Sequence, residues 1–561
     1  MRALLLLLLG TSVCTMCAGD PPPPHIVHIV VDDLGWGNVG YHVKDTQAID
    51  EMRTPHIDAL VAGGVELDRH YAHKICSPSR SALQVGRAPI HVNVVNVPPE
   101  VRNPDDPEGG YQGCPVHMTG IAAKLKGAGY ATHAVGKWDV GMATEAHHPR
   151  ARGYDSWLGY WHHANDYWSH DIETCPGEDG ARRVKIKDLW RFNNTVDGPA
   201  VDLQNGPRCS QDNQRPRGER CVYEEALLTD RALAVIDDAA DGDERLFLFW
   251  SMHLVHFPLQ VPQAYLDRFA FIEHPERRAM AAMVSYADDE IGRVVARLRS
   301  NGMWDNTLLV LHADNGGEIM FEGTCAGNNY PLRGGKFSNF EGGIRTNALV
   351  SGGAVPAARR GSKETALVAA WDWYATYAAI AGVDASDPAA ETAGLPAVDA
   401  VNQWPLLSGA NATAPRRDLS IGDTSALGYN GDGSTLVGGV LRADGYKLLL
   451  GAANKGRLVD QDVVTSPLYP DGTHLAPQTH VRRCGRTAAD GCLFNVLHDE
   501  TESTNLAAAN PALFRTLLAR VDALQASVWS PDRGAPDPAA CAAAEGRYKG
   551  YWGPWVADGG V

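Results

Sequence analysis

Cys76 is followed by Ser-Pro-Ser-Arg, and the five residues stand where a helix should begin: proline and serine suit a first turn, and the chain runs on as a helix to Gly86. A cysteine there faces unpaired backbone amides and the positive end of the helix dipole, which favour an anion. Arg80, about one turn further on, can make a forked contact to oxyanion oxygens. Three chemistries suit the position: an activated thiol, half of a disulfide, or a side chain that is chemically modified.

Two apolar runs, "IVHIVVDD" and "LLVLHADN", end in adjacent oxygen ligands, Asp32-Asp33 and Asp314-Asn315. In open α/β sheets, sites form beyond the carboxyl ends of the strands, where neighbouring side chains converge. Three carboxylates and an amide oxygen, with no imidazole or thiolate among them, suit a hard divalent cation, calcium before magnesium. Taken singly, each dipeptide is as readily a helix cap or a turn former.

The elements that must hold these residues follow from the apolar pattern. From His25 to about residue 355, short apolar runs alternate with amphipathic stretches, which predicts an α/β fold with a mostly parallel sheet covered by helices on both faces. Beyond about residue 415 short strand-like pieces precede a late helix, "NPALFRTLLARVDALQAS", and predict a smaller α+β unit with an antiparallel sheet. The 561 residues exceed what one core usually supports. The expected division is a leader at 1–19, a catalytic α/β domain at 20–415, the α+β unit at 416–530 and a Gly-, Pro- and Trp-rich surface tail at 531–561.

The leader, "MRALLLLLLGTSVCTMCAGD", has the layout of a secretory signal peptide cleaved between Cys17 and Asp20. No other apolar run is long enough to span a bilayer, and "TALVAAWDWYATYAAIAGV" is broken by Asp372. A net charge of −17 argues against a nucleic-acid binder, and an anionic substrate would need local basic residues. The basic clusters at 181–187 and 215–220 read as solvated loops.

Without the leader nine cysteines remain, and eight of them can form four disulfides in any of 105 connectivities. Cys209 with Cys221 and Cys484 with Cys492 look like local clasps, and one cysteine is left over. The sequons at Asn193 and Asn411 agree with passage through a glycosylating compartment.

The cysteine segment resembles the signature of the sulfatase family, C-x-P-S-R followed by x-x-L-x-x-G-R, and matches it at Cys76, Pro78, Ser79, Arg80, Leu83, Gly86 and Arg87. Further segments similar to that family follow in order: "DDLGWGNVGYH", "GYATHAVGKWDVG", "RGYDSWLGYW", "VHFPLQVP", "DNGG", "PLRGGKFSNFEGGIR" and "CLFNVLHDETESTNL". The "HFPLQVP" and "PLRGGK" versions are most like the arylsulfatase B group, which includes N-acetylgalactosamine-4-sulfatase. The resemblance implies an alkaline-phosphatase-like fold, and it implies that a formylglycine-generating enzyme oxidises Cys76 to formylglycine (3-oxoalanine) in the endoplasmic reticulum. That would account for the unpaired cysteine.

Hydrated formylglycine is a geminal diol: one hydroxyl attacks sulfur, and the other then loses its proton so that the aldehyde re-forms and sulfate is expelled. A serine would stop at a stable ester. By resemblance the ligands of one calcium ion are Asp32, Asp33, Asp314, Asn315 and residue 76. Arg80, Lys137 and Lys336 would hold the sulfate, and His256 would give a proton to the leaving alcohol or contact the sulfate. The expected substrates are sulfate esters, with sulfated polysaccharides among the candidates, and the destination is secreted or lysosomal. A silent sulfated-glycan binder and a phosphodiester or phosphonate hydrolase are the alternatives.

One position departs from the family pattern G-K-W-H-x-G, because this chain reads Gly136-Lys137-Trp138-Asp139-Val140-Gly141. The missing histidine is the residue thought to accept the proton of the second hydroxyl. Asp139 could accept it, as a weaker base that adds negative charge beside an anionic substrate, which predicts a slower enzyme. Alternatively His162, His163 or His170 serves. His253 reads as a packed neighbour, and His73 and Lys74 receive no role.

Overall fold

The computed structural model describes residues 22–176, 183–320, 325–423, 436–452, 462–471 and 483–556; the leader, and residues 181–182 of the first basic cluster, lie outside them. The main sheet is built from β1 (His25–Val31), β2 (Val65–Leu67), β3 (Tyr130–Lys137), β4 (Ser156–Tyr160), β5 (Trp190–Phe192), β6 (Asp197–Pro199), β7 (Arg245–Met252), β8 (Thr307–Ala313), β9 (Ala348–Ser351) and β10 (Ser362–Glu364). They lie in the order β6-β5-β4-β3-β7-β1-β8-β9-β2-β10. The five central strands, β4-β3-β7-β1-β8, are mutually parallel, and antiparallel pairs occur toward both edges.

Alternate residues of β1 belong to different cores, which is why the strand reads as a continuous apolar run. Ile26 and Val30 join one apolar cluster with α1 (Cys76–Val85), α2 (Ile121–Gly127) and α5 (Asp372–Ala381). Val27, Ile29 and Val31 join the other, with α3 (Glu224–Ala240) and α4 (Pro275–Ser300). Residues read as a broken membrane span thus form α5, and no helix among the described residues is long and apolar enough to cross a membrane.

The smaller sheet is antiparallel, in the order β11 (Asp418–Asp423), β12 (Val437–Arg442), β13 (Tyr446–Leu449), β14 (Cys492–Asn495). Phe514, Leu517 and Val521 of α6 (Pro511–Gln525) are buried in the cluster shared with those strands. Lys447 of β13 reaches Glu341 at 3.0 Å and Glu502 at 2.9 Å, all three fully buried, so the small sheet is pinned by charge as well as apolar contact to the short helix Glu341–Ile344 that precedes β9.

The segment read as a surface tail is anchored. Cys541 is bonded to Cys175 of the strand Asp171–Pro176, which pairs antiparallel with Arg183–Lys187, and Trp552 and Trp555 are buried. The cysteine arithmetic is also corrected. Among the described residues, Cys209–Cys221 and Cys484–Cys492 form as expected and Cys175–Cys541 is a third disulfide, while Cys76 and Cys114 both stay outside them. Parity therefore does not single out Cys76; its position does.

Candidate active site

Strand register brings the two acidic dipeptides together. Val31 pairs with Ala313 across β1 and β8, so Asp32 and Asp314 leave the sheet side by side. On the other side of β1, Val31 pairs with Met252, and Ser251 pairs with Gly136, which delivers Ser251 and Lys137 to the same end. Gly136 has φ +92°, and a Cβ there would lie 1.8 Å from the Ser251 carbonyl oxygen, so only glycine allows this approach.

Cys76 is the first residue of α1, after an extended Ile75, and all ten residues of the helix are buried. Gly86 closes it in the left-handed region at φ +68°, packed on the Tyr374 ring. Proline at the third position and glycine past the end are the signals legible in the sequence.

The Cys76 thiol lies 3.9 Å from Asp32 Oδ1. Burial, which outweighs the nearby Lys137 and Lys336, pushes this thiol well above its ordinary range. That argues against an activated thiolate, which needs a lowered pKa.

Around residue 76 three cations meet three carboxylates. Lys137 Nζ is 2.8 Å from Asp32 Oδ2, and Lys336 Nζ is 2.7 Å from Asp33 Oδ2. Arg80 directs its fork at carboxylates: Nε and Nη2 each lie 2.9 Å from Asp314 Oδ2, Nη2 is 3.2 Å from Asp32 Oδ1, and Nη1 donates to Ser251 Oγ. Burial and the charge of Asp32 push the Asp314 carboxyl up, whereas for Asp33 the burial effect is outweighed, chiefly by the Lys336 ammonium.

The residues fit a hard cation. Cys76 Sγ with Asp32 and Asp314 oxygens, and again with Asp33 and His256, forms groups close enough to share one ion. Asn315 donates its amide to Asp33 Oδ1 at 2.7 Å and turns a buried Oδ1 that takes no hydrogen bond among the described residues. A dication there would relieve the repulsion between Asp32 and Asp314 and satisfy that oxygen.

The tautomer of His256 follows from its contacts. Its Nδ1 faces the Phe257 carbonyl at 2.5 Å, which can only accept, so Nδ1 carries the hydrogen and Nε2 the lone pair, facing Lys336 Nζ at 3.0 Å. Burial first and Lys336 second hold this imidazole down at about 3. His256 is thus neutral and accepts from Lys336. Glu318, 3.6 Å from Lys336, is pushed up to about 7 by burial; it follows the "DNGG" match and went unremarked in the sequence, as did Ser251 at the end of β7.

Asp139 is fully buried at φ +52°. Its Oδ1 accepts from Ser77 Oγ at 2.8 Å, His163 Nδ1 at 2.8 Å and Gln112 Nε2 at 3.1 Å. Burial would raise this carboxyl, but His163, Lys137 and Arg80 together hold it below the usual carboxylate range. Of the other candidates, His162 is bound to Asp188 at 2.9 Å and Glu100 at 3.4 Å, and its pKa rises to about 10, these acids overcoming burial. His170 sits just before the strand Asp171–Pro176, its backbone bonded to Asp166 and Asp188. His253 is the packed neighbour expected, stacked on Tyr167 with Nδ1 at 2.9 Å from Glu224.

Residues 24–383 match the family model described as Sulfatase. The chain belongs to the sulfatase family. It is therefore a sulfuric ester hydrolase, as its similarity to named enzymes agrees. It is 30% identical over 546 residues to arylsulfatase J of Mus musculus, covering 95% of this chain and 81% of that one. N-acetylgalactosamine-6-sulfatase of Sus scrofa is 28% identical over 387 residues, 68% of this chain and 66% of that one. Among solved structures, Ps i-CgsB in complex with a neocarrahexaose superposes with a TM-score of 0.67 at 23% identity, covering 92% of this chain and 95% of that one; this likeness speaks to the fold, which is alkaline-phosphatase-like.

Proposed function

We propose that this chain hydrolyses sulfate esters of saccharides with residue 76, oxidised from cysteine to formylglycine, as its nucleophile, and with one calcium ion held by Asp32, Asp33, Asp314, Asn315 and residue 76. The observation that carries the reading is the placement of a buried, non-nucleophilic thiol at a helix N-terminus, 3.9 Å from a carboxylate that belongs to a set of oxygen donors suited to a dication. Calcium, when bound, supplies Lewis acidity toward sulfate oxygens and toward the attacking hydroxyl.

The chain's own residues do the rest. Lys137 and Lys336, which lie against Asp32 and Asp33, would hold sulfate oxygens, while Arg80 keeps Asp314 oriented. The Lys336–His256 pair serves the leaving oxygen: the ammonium holds the proton that the leaving oxygen takes, and the neutral ring, accepting from it at Nε2, orients it. A saccharide substrate is supported by relatives named for sulfated N-acetylgalactosamine and by Phe257, 41% exposed beside His256, which offers a ring face for a sugar. The secretory leader and three disulfides support maturation in the endoplasmic reticulum, with a formylglycine-generating enzyme as partner, and delivery to lysosome or exterior.

The test uses protein from a host that carries the modifying enzyme. The tryptic peptide bearing residue 76 is expected at the aldehyde mass, and turnover of an aryl sulfate should cease with Cys76→Ala or a calcium chelator. Intact thiol in active protein overturns the nucleophile. Faster turnover of aryl phosphates or phosphonates overturns the sulfate assignment.

A further inference from the structure

The family pattern has a histidine where this chain has Asp139, so the proton released with sulfate needs another acceptor. The fold supplies an imidazole by a different route. β3 and β4 run parallel, and their exits stay paired: Trp138 N donates to Tyr160 O at 2.9 Å and Asp139 N to Trp161 O at 3.2 Å. Two residues beyond Trp161, His163 meets Asp139 with Nδ1 at 2.8 Å from Oδ1.

This contact fixes the ring. The Asp139 carboxylate stays ionised and only accepts, so Nδ1 carries a hydrogen and, in the neutral ring, the lone pair sits on Nε2. Nε2 is shielded from solvent and takes no hydrogen bond among the described residues, although the side chain is 23% exposed elsewhere. Ser77, the residue after Cys76, touches both members, with Oγ at 2.8 Å from Asp139 Oδ1 and 3.3 Å from His163 Nδ1. The dyad thus abuts the first turn of α1. A carboxylate that orients an imidazole through Nδ1–H and leaves Nε2 basic is a general-base arrangement found on unrelated folds.

We propose that His163 is the base for sulfate release and Asp139 its positioning carboxylate. This rests on the formylglycine reading above. In the step, the second hydroxyl of residue 76 gives its proton to His163 Nε2. The O–H electron pair becomes the second bond of the re-forming C=O, and the C–O bond to sulfate breaks with its pair leaving on sulfate. Water then adds back to the aldehyde and restores the diol, and the imidazolium gives its Nε2 proton to water that enters as sulfate leaves. Asp139 itself, held below the usual carboxylate range by His163, Lys137 and Arg80, is too weak a base to keep that proton.

The experiment is a quenched single turnover of a nitrophenyl sulfate by the full-length enzyme, following nitrophenol, free sulfate and the mass of the residue-76 peptide. In His163→Ala the nitrophenol burst should persist while the sulfated peptide accumulates, with sulfate release slowed on the order of 100-fold. Imidazole added to the buffer should restore release in that variant. Asp139→Asn should also accumulate the sulfated peptide, but without rescue by imidazole, since its ring is present and only misoriented. Wild-type release rates in His163→Ala, or accumulation that imidazole does not relieve, would overturn the assignment of the base. Wild-type protein with an aldehyde-free residue 76 or no burst sinks the underlying reading instead, and this inference with it.

Discussion

At the scale of single residues, the pocket is organised by which partner each cation holds. Lys336 bridges Asp33 and His256, so its ammonium and the neutral ring form one proton-handling unit rather than an acid standing alone. This has a consequence for leaving groups. A nitrophenolate departs without needing a proton, whereas a sugar hydroxyl does not, so the pair matters most where the leaving oxygen is basic. We expect His256→Gln and Lys336→Ala each to lower kcat on a saccharide sulfate by at least tenfold more than on nitrophenyl sulfate. Equal losses on both substrates would assign the pair to sulfate binding alone. The sequence pointed to both residues through matched segments, but it could not give the tautomer of His256, which is set by the carbonyl of Phe257 next to it.

At the scale of elements, the loop that carries His256 is held from outside the sheet. Residues 209–221, closed by the Cys209–Cys221 disulfide, press two glutamines onto it: Gln211 brackets Val261 at 3.0 Å through both its N–H and carbonyl, and Gln214 reaches the same carbonyl at 3.2 Å. Tyr167 donates from its hydroxyl to the carbonyls of His253 and His256, at 2.9 Å each. Replacing both cysteines by serine should cost about 2–3 kcal/mol for a loop of this length. It should also lower kcat/KM, because the clasp braces the turn that positions His256. Denaturant unfolding and turnover measured on the same sample check both; a stability loss with unchanged kcat/KM would mean the loop serves folding only. The clasp itself was legible, since its cysteines are close in sequence, and so were the strands that end in Asp32-Asp33 and Asp314-Asn315. The brace was not legible, because Gln211 and Gln214 are ordinary polar residues until the fold sets them against Val261. The Asp139–His163 contact was likewise hidden: it depends on the exits of β3 and β4 staying in register, which no local pattern in either segment announces.

For the whole molecule, burial of titratable groups sets a stability profile with pH. His28, His70, His73 and His253 are pushed well below their ordinary range, mainly by burial, while His133, His170 and His312 are held at about 4 and His147 at about 3. The unfolded chain protonates these rings near about 6.5, so below that pH it binds more protons than the folded chain and stability is lost as pH falls. A smaller set works the other way: burial raises Asp288 to about 6, Glu502 to about 7 and Glu225 to about 8, and raises Glu224 strongly. The folded chain keeps those protons after the unfolded chain has released them near about 4.5, so this contribution is lost as pH rises. His162, raised to about 10 by Glu100 and Asp188 against the effect of burial, adds to the loss on the alkaline side. Between about pH 4.5 and 6.5 the histidines outnumber the carboxylates, and above about 6.5 only the raised groups still titrate. The melting temperature should therefore peak near about pH 6.5 and fall on both sides. Calorimetry from pH 5 to 8 at constant ionic strength tests this: a melting temperature that falls steadily across that range would mean that the histidines are not buried as neutral rings, and one that climbs steadily would mean that the acids and His162 are not raised.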